Sequence, residues 1–273
     1  YFILIKEIFI ITSEMVEQVT EDLDKLEIKD IDINKQNIID KFIKDVKGFE
    51  IKLEQVNKKH NGKDGHWLEN KMGIKHNANN EPDIDGYEMK TGDKITTFID
   101  KSPTTMYLNG NILPKRSKAF KKQFWDKYAS KKKTNEPTIG GWSVDKFSKC
   151  GQKMIVDDDN NILVIYDYKE DTRENKNVLG LNSELHIIMK WDAKELANAI
   201  ENKFNQKGFF KCIKENNKFT KICFGKKITF DFWINEFKKG VIYHDGYSKI
   251  NGRGRHVFRA SNKFWESLII EEY

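Results

Sequence analysis

Strand-length apolar runs alternate with helix-length amphipathic stretches along this 273-residue chain, and that alternation most restricts its fold. Ile162–Tyr168, Leu185–Trp191, Phe209–Lys214 and Phe219–Phe224 are rich in β-branched and aromatic residues, and they predict strands. Ala193–Phe204 and Phe230–Phe237 carry apolar residues at helical spacing. Upstream, Ser13 can cap a helix with Met15, Val16, Val19 and Leu23, and Asn34 one with Ile38, Ile39, Phe42, Ile43 and Val46. His66–Met72 reads as a short helix, and Lys115–Lys133 as a basic amphipathic helix ended by Asn135–Gly141. Gly86–Thr91 and Lys94–Asp100 read as strands joined in a hairpin by Gly92-Asp93. Helices and strands mixed in this way predict the α/β class, a mixed sheet flanked by helices.

The remaining composition narrows the function classes. Hydrophobic residues make up 38% and aromatics 12%, enough for a packed core, which excludes a disordered or fibrous chain. The longest apolar run, residues 1–11, is broken by Lys6 and Glu7 and cannot span a bilayer, which takes about 20 apolar residues. It also lacks the features of a signal peptide. Cys150, Cys212 and Cys223 form no C-x-x-C pair and are expected to be reduced and buried, as in a cytoplasmic protein. The net charge of +6 is unevenly spread: residues 1–50 hold 7 Lys against 12 acids, residues 101–150 hold 12 basic against 3 acidic residues. A basic segment set against an acidic one predicts one face that meets a polyanion. At roughly 150 residues per domain the length allows one large domain or two small ones.

The chemistry concentrates in Glu81-Pro82-Asp83-Ile84-Asp85-Gly86-Tyr87-Glu88-Met89-Lys90. An acid-x-Lys triplet alone says little here, since Glu27–Lys29 and Glu201–Lys203 also have it. In this setting Pro82-Asp83 makes a turn, Gly86 admits the chain to a strand, and Glu88 and Lys90 share one strand face. Asp83, Glu88 and the backbone carbonyl of Met89 are the hard oxygen donors that Mg²⁺ takes, and Lys90 can orient water and offset phosphate charge. Glu69, on the preceding helix, can supply a third carboxylate. The other reading is a half-buried hairpin with its charges in solvent; the residues alone leave both open.

A second signal is the arginine distribution. Of five arginines, Arg253, Arg255 and Arg259 fall within seven residues, in a chain that otherwise uses lysine. Arginine's planar fork fits guanine O6/N7 or a phosphate. With His244, Asp245 and His256 these residues suggest a donor-rich DNA-reading loop, or one that grips phosphates without reading sequence. Asp157-Asp158-Asp159-Asn160-Asn161 lacks the Gly and distal Glu of a calcium loop and is expected to be a solvated turn.

Leu68-Glu69, Met72-Gly73-Ile74, Asn77, Pro82-Asp83, Gly86, Glu88-x-Lys90 and Phe98 resemble the MvaI/BcnI restriction endonucleases, relatives of the MutH nicking enzyme. The resemblance resumes over 243–269, at Asp245, Gly252-Arg253, Arg259-Ala260-Ser261-Asn262 and Phe264-Trp265, while 101–240 matches nothing in that pattern. It implies a PD-(D/E)xK nuclease fold with a MutH-like two-lobed architecture, expected as a mainly catalytic lobe with the metal site over 1–150 and a mainly DNA-recognition lobe over 151–273. It also implies Mg²⁺, a catalytic set of Asp83, Glu88 and Lys90 with Glu69 assisting, and a monomer acting on double-stranded DNA. The target implied is a short site with C·G pairs around one central base pair, with a cognate DNA methyltransferase as a possible partner in the same system. A MutH-like nickase and a non-catalytic DNA-binding module are the competing expectations.

Overall fold

The computed structural model describes residues 32–50, 63–74, 81–91, 95–112, 118–131, 137–181, 184–249 and 255–273. Arg253 and the helix expected after Ser13 lie outside them. The chain divides after Lys41 into two compact units. The described part of the first opens helix α1 (Ile33–Asp45). Its cap is Asp32 and not Asn34: Asp32 Oδ1 accepts from the N–H groups of Asn34 and Lys35 at 3.1 and 3.2 Å.

The second unit continues with α2 (Lys63–Lys71), β1 (Glu88–Lys90), β2 (Ile95–Asp100), β3 (Thr105–Leu108), β4 (Asn111–Ile112) and α3 (Lys118–Tyr128). Then come β5 (Ser130–Lys131), β6 (Pro137–Gly140), β7 (Cys150–Val156), β8 (Ile162–Asp171) and β9 (His186–Trp191). The chain ends through α4 (Ala193–Phe204), β10 (Phe209–Glu215), β11 (Lys218–Gly225), α5 (Phe230–Lys238), β12 (Tyr243–Lys249), β13 (Arg255–Ser261), α6 (Asn262–Glu266) and β14 (Ile269–Glu272). These strands form three sheets, ordered β1-β10-β11-β14, β2-β13-β12-β6-β5 and β4-β3-β9-β8-β7. Among these pairings only β1 with β10 is parallel.

The α/β class stands, and the central elements fall where their periodicity puts them. One expectation does not hold. β1 and β2 are no hairpin: β1 pairs with β10 and β2 with β13, so the two strands enter different sheets. Each of the three sheets combines strands from both sides of residue 150, and residues 42–273 form one unit. The segment 137–140, expected only to break a helix, is strand β6.

The core between the sheets is aromatic. Phe98 stacks on Trp265 with ring centroids 4.1 Å apart, and Phe204 and Phe209 meet the same indole. Offset and edge-on ring pairs add about 0.5–1.5 kcal/mol each beyond the area they bury. The three cysteines are free and buried. Asp157 Oδ1 accepts from the N–H groups of Asp159 and Asn161, closing the expected turn. Among the described residues no helix is long and apolar enough to cross a membrane.

Candidate active site

The turn that builds the site is Asp85-Gly86. Ile84 and Tyr87 exchange backbone hydrogen bonds at 3.1 and 2.8 Å, with Asp85 at φ +48° and Gly86 at φ +86° between them. Two successive residues at positive φ define a type I′ turn, which Asp-Gly supplies at little steric cost. This two-residue hairpin makes Asp83 and Glu88 cross-strand neighbours one step beyond its closing pair. Asp83 is fixed there, its Oδ2 accepting from the Met89 N–H at 2.8 Å.

β1 carries Glu88, Met89 and Lys90, all buried. Glu88 is 2% exposed, and its Oε1 accepts from Lys90 Nζ and from Lys203 Nζ, each at 2.7 Å. Lys203 enters from the last turn of α4. Sequence reading passed over it, because Glu201–Lys203 looked like one more chance acid-x-Lys triplet. Its one signal was helical position: it directly precedes Phe204, whose ring lies under the Lys90 ammonium at 5.1 Å.

Burial works against the charge on Glu88, but Lys90 and Lys203 outweigh it and hold its carboxyl below the usual range. Asp83 goes the other way: burial, then the charge of Glu88, pushes it up to about 6. Burial also draws the Lys90 ammonium down from its ordinary value, against the pull of Glu88.

These side chains line a cleft of about 750 Å³ that also takes in Glu69, Met89, Arg255 and Arg259. Glu69 thus reaches the same cavity from α2, its Oε2 3.4 Å from His66 Nδ1. Glu88 Oε2 is fully buried and has no hydrogen-bond partner. An orphan carboxylate oxygen, left over while its twin holds two ammonium groups, fits a cation. Among the described residues no cluster of three or more His, Cys, Asp or Glu side chains is arranged to hold a metal. Asp83 and Glu88 line the same cleft, and carboxylate oxygens are the donors a hard cation takes.

The residues expected to read DNA separate into two groups. Arg255 and Arg259 line the same cleft as Asp83 and Glu88. Arg259 Nη1 pairs with Asp245 Oδ2 at 2.9 Å, and Arg255 Nε lies 3.5 Å from Asp100 Oδ2. His244 and His256 do not belong with them, which corrects their placement on a recognition loop. They sit on the paired strands β12 and β13, 5% and 3% exposed, with His244 Nε2 and His256 Nδ1 3.2 Å apart. Trp142, Trp191 and Phe258 pack around them. Burial, with each other's neighbourhood adding for His244, drives their pKa values to about 3 and about 4, so both rings are neutral core residues at neutral pH.

A mixed sheet that presents buried carboxylates and a lysine at the mouth of a short strand defines a restriction-endonuclease-like fold. The solved MvaI–cognate DNA complex shares that fold, with a TM-score of 0.56 at 15% identity over 88% of this chain and 95% of that one. The chain belongs to the LlaMI restriction endonuclease family, which matches it over residues 46–273. It is 32% identical to the type II restriction enzyme ScrFI of Lactococcus lactis subsp. cremoris, over 87% of this chain and 98% of ScrFI. It is thus a type II restriction endonuclease of MvaI type, a site-specific deoxyribonuclease.

Proposed function

We propose that this endonuclease hydrolyses phosphodiester bonds of double-stranded DNA at a short specific sequence, with Mg²⁺ as its metal. On this reading Asp83, Glu88 and Lys90 form a PD-(D/E)xK centre. The observation that carries it is the buried, unpartnered Oε2 of Glu88, set beside Asp83 in a cleft that arginines also line. Asp83, Glu88 and the Met89 carbonyl would hold the ion, which when bound supplies Lewis acidity toward the phosphate. Lys90, fixed between Glu88 and the Phe204 and Trp265 rings, orients the attacking water and offsets charge on the scissile phosphate. The water oxygen forms the new P–O bond as the bond to the leaving 3′ oxygen breaks. Glu69 assists from the cleft wall. MvaI, the structural relative, is seen with cognate DNA; here Arg255 and Arg259, with Asp245, would meet the bases or phosphates beside the cut. A cognate methyltransferase would protect the same sites on host DNA in the cytoplasm.

The enzyme is expected to act as a monomer, because the described residues hold one such centre and one centre attacks one strand per encounter. Supercoiled plasmid bearing a single target, incubated with Mg²⁺, should pass through a nicked form before discrete linear product, at a rate linear in enzyme. Nicks that never progress would mark a nickase, a gel shift without cutting a binding module, and second-order dependence a dimer.

Metal affinity should fall in acid. Asp83 titrates at about 6 in the metal-free site, so above that pH it is an anion free to ligate, and below it a proton competes with the metal. Each pH unit below about 6 should weaken Mg²⁺ binding by up to roughly tenfold. Calorimetric titration from pH 5 to 8 checks this; a flat profile over pH 5–6.5 would remove Asp83 from the ligand set.

A further inference from the structure

Glu88 carries one negative charge, yet two ammonium groups share its Oε1, those of Lys90 and Lys203, both at 2.7 Å. Lys90 lies two residues away on the same strand, whereas Lys203 comes from 115 residues further along the chain. The helix end that delivers it is anchored: Glu201 Oε1 accepts from the Phe230 N–H at 2.7 Å, and the Asn205 amide donates to the other Glu201 oxygen. Lys203 is also the less enclosed of the two lysines, with its side chain 20% exposed against 9%, and it lines the open cleft. If all are ionised, Asp83, Glu88, Lys90 and Lys203 sum to zero. A divalent ion takes the site to +2, which repels both cations, of which Lys203 is the less enclosed, and attracts the phosphodiester anion.

We infer that Lys203 is the internal counter-ion of the metal-free carboxylate, and that it passes from Glu88 to the substrate phosphate once metal and DNA occupy the cleft. This rests on the reading above that Glu88 is a metal ligand. Lys203 is then a catalytic residue of the loaded enzyme and a competitor of the metal in the empty one. Those two roles respond oppositely to its removal. A lysine that only supported the fold would weaken both.

The test uses the full chain with Lys203→Ala, Lys203→Gln and Lys203→Arg. Mg²⁺ affinity is measured by calorimetry without DNA, and single-turnover cleavage on a duplex that the wild-type enzyme cuts. Ala and Gln should bind Mg²⁺ about 3–10-fold more tightly, because Glu88 loses one competing cation. The same two variants should cut at least about 30-fold more slowly, because a charge on the phosphate is gone. Arg should restore most of the cleavage rate. Unchanged or weaker Mg²⁺ binding by Ala and Gln, or cleavage by them at the wild-type rate, would overturn the inference. Wild-type enzyme that neither binds Mg²⁺ nor cuts would instead overturn the metal site itself, and the two failures are distinct.

Discussion

Glu88→Gln is expected to reduce cleavage by about 10³-fold or more while leaving duplex binding nearly intact. The substitution keeps the volume of the side chain but removes the anion on which both lysines converge and the buried oxygen that has no partner. An amide can keep its oxygen toward the two ammonium groups, but it is neutral and puts an N–H₂ group where the unpartnered oxygen stood, which a cation cannot use. Lys90→Ala should fall comparably, because it empties a pocket lined by Phe204 and Trp265 and leaves Glu88 dependent on Lys203. Single-turnover kinetics on a cut duplex, with binding measured separately in Ca²⁺, gives the answer. Cleavage within tenfold of wild type by either variant would dismiss the assigned centre.

The second large effect is expected at Arg259. Its Nη1 is tied to Asp245, while its Nε is buried without a partner, so the guanidinium is held by one edge at the wall of the cleft that Asp83 and Glu88 also line. Lysine keeps the charge but loses the planar fork, and a good bidentate base contact is worth about 1–3 kcal/mol of discrimination. Arg259→Lys should therefore lower cleavage of the cognate duplex by roughly 10–100-fold and hardly change affinity for random sequence. An equal loss on both duplexes would make Arg259 a phosphate anchor. Arg255 is more exposed and held by the longer contact to Asp100, so its lysine variant should show the smaller change.

The sequence carried the elements whose pattern is local. Ala193–Phe204 matches its helix end to end, because Asp192 caps it and its apolar residues recur at helical spacing. Asp83, Glu88 and Lys90 were legible for the same reason: an eight-residue turn and strand brings them together. Partners that arrive from far along the chain were not legible. Lys203 has no local pattern to separate it from the many lysines around it, and only the packing of α4 brings it to Glu88. The hairpin was placed at Gly92-Asp93, when the working turn is Asp85-Gly86, whose order suits two consecutive positive φ values. His244 and His256 misled because imidazole near arginine reads as a donor set. Alternation along β12 and β13 turns both rings to the interior and leaves Arg255 and Arg259 at the cleft.

The strand that bears Glu88 and Lys90 is three residues long and sits at the edge of its sheet, with β10 as its one neighbour in that sheet. A strand so short cannot hold itself extended, since isolated pairs of that size are marginal even as hairpins. Its backbone is set only when residues 209–211 lie alongside it. A chain made only to its first half therefore carries Glu88 and Lys90 but not the strand that holds them extended. Such long-range pairing slows folding. The proposed centre thus waits on residues 209–211, and a chain cut short before them lacks that pairing.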